Sequence, residues 1–163
     1  MLPSTPDVLI QLQRADHPQV VALLDTLDRY LASLYPPEAN HLLSVAELLA
    51  PEVAFFAAWQ GERIVGTGAV RHMPGSDATA GQPYGELKRM FVEPALRAQG
   101  IAYRLVLTLE AELRAHGVGV ALLETGRDQP EAVRLYRRCG YQVRGPFGGY
   151  PANGLSVFLE KRL

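Results

Sequence analysis

Arg97-Ala98-Gln99-Gly100-Ile101-Ala102 stands between an apolar run, Met90-Phe91-Val92, and a long amphipathic stretch that opens at Ile101. A glycine-containing turn that opens a helix leaves the first backbone N–H groups without intrahelical partners. It also places the positive end of the helix dipole beside them, and together these make an anion site. The run leading into this turn carries Glu86, Lys88 and Arg89, and Arg71 lies on the run before it. A carboxylate at position 86 suits proton transfer on a cleft-facing strand, and equally a pair with Lys88 on the same strand face. Any one of the three cations suits a clamp on a bound carboxylate, or plain exposure at a sheet edge. Glu124 is a second proton-transfer candidate, with a structural ion pair as its other reading. Cys139 has no histidine near it in sequence and reads as a small packed residue rather than a nucleophile.

The bulk properties narrow the classes. A chain of 163 residues fits one domain, long enough to bury roughly two thirds of the surface its unfolded form exposes. Lys plus Arg is 16 against 17 Asp plus Glu, a formal charge of −1, which argues against a nucleic-acid-binding surface spread over the whole protein. One cysteine cannot form an internal disulfide, and no Cys/His cluster has zinc-ligand spacing, so no metal is expected. No basic segment followed by an apolar core opens the chain, and no apolar run is long enough to span a bilayer. These features predict a cytoplasmic protein with no membrane partner.

Periodicity supplies the elements that must position these groups. Val8 to Gln13 alternates as a half-buried strand, then Asp16 offers an N-cap and Pro18 a first turn for a helix ending before Tyr35-Pro36-Pro37. Ser44-Val45-Ala46-Glu47 fits a capping box for a short second helix, stopped by Pro51 and paired with the first. Ala54 to Gln60 and Arg63 to Met73 read as a hairpin turning at Gln60-Gly61-Glu62. Pro74 to Pro83 has no periodicity and reads as a mobile loop, and Tyr84 to Val92 resumes as a strand. Gly100 to His116 predicts a helix with Ile101, Leu105, Leu109 and Leu113 on one stripe, followed by a doubly covered strand at Val120 to Thr125. Pro130 to Arg138 is a further helix, and Tyr141 to Val143 with Ser156 to Arg162 complete the sheet. The order is α/β, with one strand-helix-strand unit over residues 84 to 125.

Three features in this order, the Arg97 to Ala102 turn, the Val120 to Thr125 strand and Ala132-Val133-Arg134-Leu135-Tyr136-Arg137-Arg138-Cys139-Gly140-Tyr141, resemble the GNAT superfamily of acetyl-CoA-dependent N-acetyltransferases. The resemblance is strong over residues 54 to 143. It implies a single domain, 1 to 163, with a mixed, mostly antiparallel seven-stranded sheet and four main helices. Arg97, Gly100 and Ala102 satisfy the family's phosphate-loop pattern, while Ala98 stands where many members carry glycine. The resemblance implies that Arg97, Ala98, Gln99, Gly100, Ile101, Ala102 and Tyr103 hold the coenzyme pyrophosphate through their backbone. It further implies that Met90, Phe91 and Val92 line its pantetheine arm, with the Val92 N–H as oxyanion donor. Gln129 lies where many relatives carry an asparagine that contacts that arm, and Ala132 follows on the same helix.

By the same resemblance Tyr136 donates a proton to the departing thiolate, a role that suits a phenol protonated at neutral pH. Packing a helix against the sheet is its other reading. Glu86 is the candidate base for the attacking amine. Tyr35 and His41, in the segment joining the first two helices, Arg89, and Tyr150 in the late glycine-rich loop are the acceptor-binding candidates. The expected activity is acetyl transfer from acetyl-CoA to a primary amine of a small molecule by direct attack in a ternary complex, with no metal. Its rivals are a protein or peptide N-acetyltransferase, a non-catalytic acyl-CoA-binding module, and a mononucleotide-binding βαβ domain. The last lacks the full glycine fingerprint and a well-placed acidic ribose ligand. A homodimer is the oligomer that the resemblance suggests.

Overall fold

Residues 7–163 are described by the computed structural model. β1 (Val8–Leu12), β2 (Val53–Gln60), β3 (Arg63–Met73) and β4 (Tyr84–Val92) pair successively antiparallel. β4 then runs parallel to β5 (Val120–Gly126), which pairs antiparallel with β7 (Ser156–Arg162), and β6 (Gln142–Arg144) closes the far edge against β7. The sheet therefore has seven strands in the order β1-β2-β3-β4-β5-β7-β6. Its parallel pair needs a crossover, and α3 (Ile101–Ala115) supplies it, as expected for residues 84 to 125.

The remaining helices are α1 (Pro18–Leu34), α2 (Val45–Leu48) and α4 (Pro130–Arg138). Helical spacing of apolar residues decides which face each helix covers. Val20, Leu23, Leu24, Leu27 and Leu31 of α1 and Leu48 of α2 bury against Phe55, Ala57, Ile64, Ala69 and Phe91 on one side of the sheet. The predicted α3 stripe, with Tyr136 of α4, buries against Val70, Leu87, Leu123 and Leu159 on the other. Each such side chain contributes about 1.5–3 kcal/mol of burial, which outweighs any local propensity.

Local details differ from the sequence reading in three places. The α1 N-cap is His17, whose Nδ1 accepts from the Gln19 N–H, because Asp16 is engaged by the Arg14 guanidinium at 2.9 Å. The segment before β4 holds a short 3₁₀ turn, Asp77–Thr79, where the Thr79 hydroxyl donates to the Gln82 carbonyl and accepts from the Ser76 N–H. Tyr141 is buried in the core and precedes β6 rather than starting it, since β6 pairs from Gln142 onward. The capping box at Ser44 and Glu47 forms as read from sequence.

The pairing of β4 with β5 sets up the site. It covers only Gly85–Leu87 against Ala121–Leu123, yet β4 continues to Val92 and β5 to Gly126. Beyond Leu87 and Leu123 the two strands part. A bulge helps: the β3–β4 register shifts between Thr67 and Ala69, and Arg89 takes a left-handed φ of 55°.

Candidate active site

Where β4 leaves β5, a cleft of about 120 Å³ opens, walled by Leu87 to Met90 of β4 and Glu124 to Gly126 of β5. Gln129, Ala132 and Tyr136 close it from the α4 side, and Leu27, Leu31, Tyr35 and His41 from the α1 side. The edges of β4 and β5 that face each other no longer pair there, while β4 stays paired with β3 and β5 with β7. The Glu93 N–H donates to the Val65 carbonyl at 2.9 Å, so the alternation of an antiparallel ladder turns the Val92 N–H to the opposite edge, toward the gap.

Below the gap lies the turn into α3. Gly100 is its N-cap with φ 85° and no side-chain cap, and a Cβ there would meet nothing within 4 Å. The amides at the start of α3 therefore have no side-chain cap and open space beside Gly100, the conditions an anion requires. Ala98 also has positive φ, 62°, which gives the reason glycine is favoured at that place. The Arg97 guanidinium folds back, its Nε donating to the Val92 carbonyl at 3.1 Å and its plane 5.6 Å from the Phe91 ring centre. That contact braces the turn against β4.

Tyr136 is buried on α4 and faces the cleft, with its ring edge-on to Tyr141 at 5.9 Å. Burial pushes its phenol well above the ordinary tyrosine value, with Cys139 adding to the rise. Across the cleft, Glu124 accepts a hydrogen bond from the Ser156 hydroxyl at 2.9 Å. Burial raises its carboxyl above the usual range, and the Ser156 bond and Lys88 partly offset this. One wall thus holds a protonated acid and the other a carboxyl with heightened proton affinity.

Glu86 is placed differently from the expectation that it opens onto the cleft. Its carboxylate accepts from the Tyr150 hydroxyl and pairs with Lys88 Nζ at 3.0 Å, with only 4% of the residue exposed. Lys88 Nζ also donates to the Tyr150 hydroxyl and to the His41 carbonyl. The Glu86–Lys88 pair weighed at the outset therefore forms, and β-strand alternation makes it, since residues two apart share a face. Burial, with Glu86 next in effect, raises the Tyr150 phenol, which keeps it a donor to that carboxylate.

The other acceptor-side candidates are also partly engaged. The hydroxyl end of Tyr35 packs against Gly126, and its hydroxyl accepts from the Asp128 N–H at 3.1 Å, so it props the β5–α4 turn. Arg89 NH1 reaches Asp28 of α1 at 2.5 Å, while its buried Nε has no partner among the described residues. His41 stacks edge-on with Tyr150 at 5.0 Å and leaves a buried, unpartnered Nε2 at the cleft. Gln129 is the α4 N-cap residue, its side chain free of any capping bond.

Sequence reasoning missed Asp28, which pairs with Arg89, and Ser156, whose hydroxyl donates to Glu124. A polar residue on an amphipathic helix gives no hint of which strand it meets. Glu110 was missed as well: it sits fully buried within the apolar stripe of α3 and pairs with Lys161 at 2.9 Å behind Tyr141. A carboxylate interrupting that stripe was the available signal.

Comparison with known proteins bears on this geometry. The profile of the acetyltransferase (GNAT) family matches residues 20–141. An IAA acetyltransferase of Azospirillum brasilense is 44% identical over 158 residues, covering 97% of this chain and 99% of its own. The crystal structure of a Klebsiella pneumoniae protein assigned as an acyl-CoA N-acyltransferase superposes with a TM-score of 0.76 at 30% identity, over 97% of this chain and 99% of that one. The PaiA N-acetyltransferase of Thermoplasma acidophilum, crystallised with coenzyme A, shares the fold with a TM-score of 0.73 at 17% identity, over 96% and 99% of the two chains.

Proposed function

Because the chain belongs to the GNAT family of acetyltransferases, we propose that it transfers an acetyl group from acetyl-CoA to the primary amine of a small molecule, by direct attack in a ternary complex. The observation that carries this reading is a single cleft, at the parting of β4 and β5, lined by Tyr136 from one side and Glu124 from the other. Acetyl-CoA fits the residues present. The open cradle at Gly100 suits its pyrophosphate, and the free edge of β4 at Val92 suits pairing with its amide-bearing arm.

In this mechanism Glu124, directly or through one water, accepts the proton of the acceptor ammonium and leaves a neutral amine. Glu124 takes the role first considered for Glu86, whose carboxylate is committed to Lys88 and Tyr150. The Val92 N–H donates to the thioester oxygen as negative charge builds there during attack. Tyr136 gives its phenolic proton to the thiolate as the C–S bond breaks, the surplus proton of the attacking nitrogen returns through solvent to the phenolate as the amide forms, and the proton held by Glu124 leaves to solvent. Holding both partners in one cleft makes the attack effectively unimolecular.

A small acceptor is favoured over a polypeptide by enclosure. The His41–Tyr150 contact and the Lys88 bond to the His41 carbonyl tie the loop after α1 to the loop after β6, which narrows the acceptor side. Among the described residues no helix is long and apolar enough to cross a membrane. The deciding experiment is a thiol-release screen with acetyl-CoA across amines, amino acids and peptides, with IAA included because of the 44% identical relative. Turnover with a small amine supports the reading. Turnover confined to peptides, or none with any amine, overturns it.

A further inference from the structure

Three metal-ligating side chains meet at the end of α3 far from the Gly100 turn. His72 lies near the end of β3, Glu112 sits in the last turns of α3, and His116 is the α3 C-cap. One ligand atom from each lies within 4.8 Å of the other two. The rings of His72 and His116 meet edge-on at 5.1 Å, and His116 Nδ1 stands 3.4 Å from Glu112 Oε1. We propose that these three residues bind a divalent transition metal of the zinc type, which ties the C-terminal end of α3 to β3.

The donor set argues for this class of ion. Two imidazoles and one carboxylate give the mixed nitrogen and oxygen ligation that zinc, cobalt and nickel favour, whereas magnesium and calcium favour oxygen alone. Tetrahedral ligands about 2.1 Å from an ion stand about 3.4 Å from one another. One ligand atom of each of the three residues lies within 4.8 Å of the other two, so the set is already gathered on the scale of such a site. Solvent fills the fourth position, because His72 and Glu112 are half-buried and His116 is exposed.

The scaffold beneath is rigid, which a site of this kind needs. A Cβ on Gly85, the register partner of His72, would fall 2.2 Å from Leu113, the neighbour of Glu112 in α3. Helix and sheet therefore touch with no slack directly under the three ligands. His116 is further oriented by Nδ1, which lies 2.9 Å from the Glu112 carbonyl oxygen. Glu112 has no lysine or arginine ion-pair partner among the described residues, so its charge is available to a cation.

The test uses the full chain without an affinity tag. Cobalt(II) titration is expected to give the visible absorption of a low-coordinate nitrogen and oxygen site. Zinc at 100 times its dissociation constant is expected to raise Tm by about 5 °C or more, while magnesium leaves it unchanged. His72→Ala and Glu112→Gln are each expected to weaken zinc binding by about tenfold or more. Acetyl-CoA affinity is expected to be untouched, which separates this site from the cleft. The metal-free melting curve of each variant reports its folding, and both alter half-buried side chains. Absence of the cobalt band and of the zinc shift overturns the proposal. So does a zinc shift that survives His72→Ala, which would place the ion elsewhere.

Discussion

Gly126→Ala tests how the cleft wall is built. The backbone permits the change, since Gly126 is not among the residues with positive φ. Space does not: the added Cβ would lie 1.8 Å from the Tyr35 hydroxyl oxygen and 2.2 Å from Cζ of the same ring. Tyr35 is 7% exposed, and its hydroxyl accepts from the Asp128 N–H at 3.1 Å, so the ring cannot shift slightly and must leave. Re-exposing an aromatic ring costs about 2–3 kcal/mol and losing the hydrogen bond about 1 kcal/mol. The lower chain entropy of alanine in the unfolded state offsets about 0.5 kcal/mol. The net loss is about 3 kcal/mol, or a Tm lower by roughly 6–12 °C in a chain of this size. Urea denaturation of the parent, Gly126→Ala, Tyr35→Ala and the double variant measures it as a coupling energy. In the Tyr35→Ala background the glycine substitution should cost nothing or stabilise slightly. A loss under about 1 kcal/mol in the parent, or an equal loss in both backgrounds, refutes the steric argument.

Three further variants test the proposed chemistry. Tyr136→Phe should lower kcat by about 10²-fold or more while leaving acetyl-CoA affinity by calorimetry within about twofold. Because burial raises this phenol, the parent's rate should show no alkaline loss below about pH 10. Glu124→Gln should remove the acid-side limb of the kcat/KM profile, a limb that burial places above the ordinary glutamate value of about 4.3. A carboxyl whose folded pKa is raised contributes stability at low pH that is lost as pH rises through that pKa. Glu124→Gln should therefore be at least as stable as the parent at neutral pH, with the difference shrinking on acidification in parallel melts. Gly100→Ala forces a side chain into φ 85° and should weaken acetyl-CoA binding by about fivefold or more, read by calorimetry.

What the chain determines by itself are features held in short stretches. The α3 stripe, the Ser44–Glu47 capping box, the Gly61 hairpin and the glycine turn into α3 are each set by neighbours a few residues apart. Period and cap chemistry therefore reveal them, and the glycine turn, followed in order by the Val120 to Thr125 strand and the Ala132 to Tyr141 stretch, carried the resemblance to the family. Tertiary structure alone decided which carboxylate lines the cleft. Glu86 and Glu124 each stand in a strand beside the parting; pairing of β4 with β5 stops one residue past Glu86, whose carboxylate is buried against Lys88 and Tyr150, and leaves Glu124 at the parting edge. The His72, Glu112 and His116 cluster arises in the same way, as a register between a strand and a distant helix end. Such contacts depend on how long-range packing is resolved, and residues far apart in a chain carry no local sign of the partner that packing will give them.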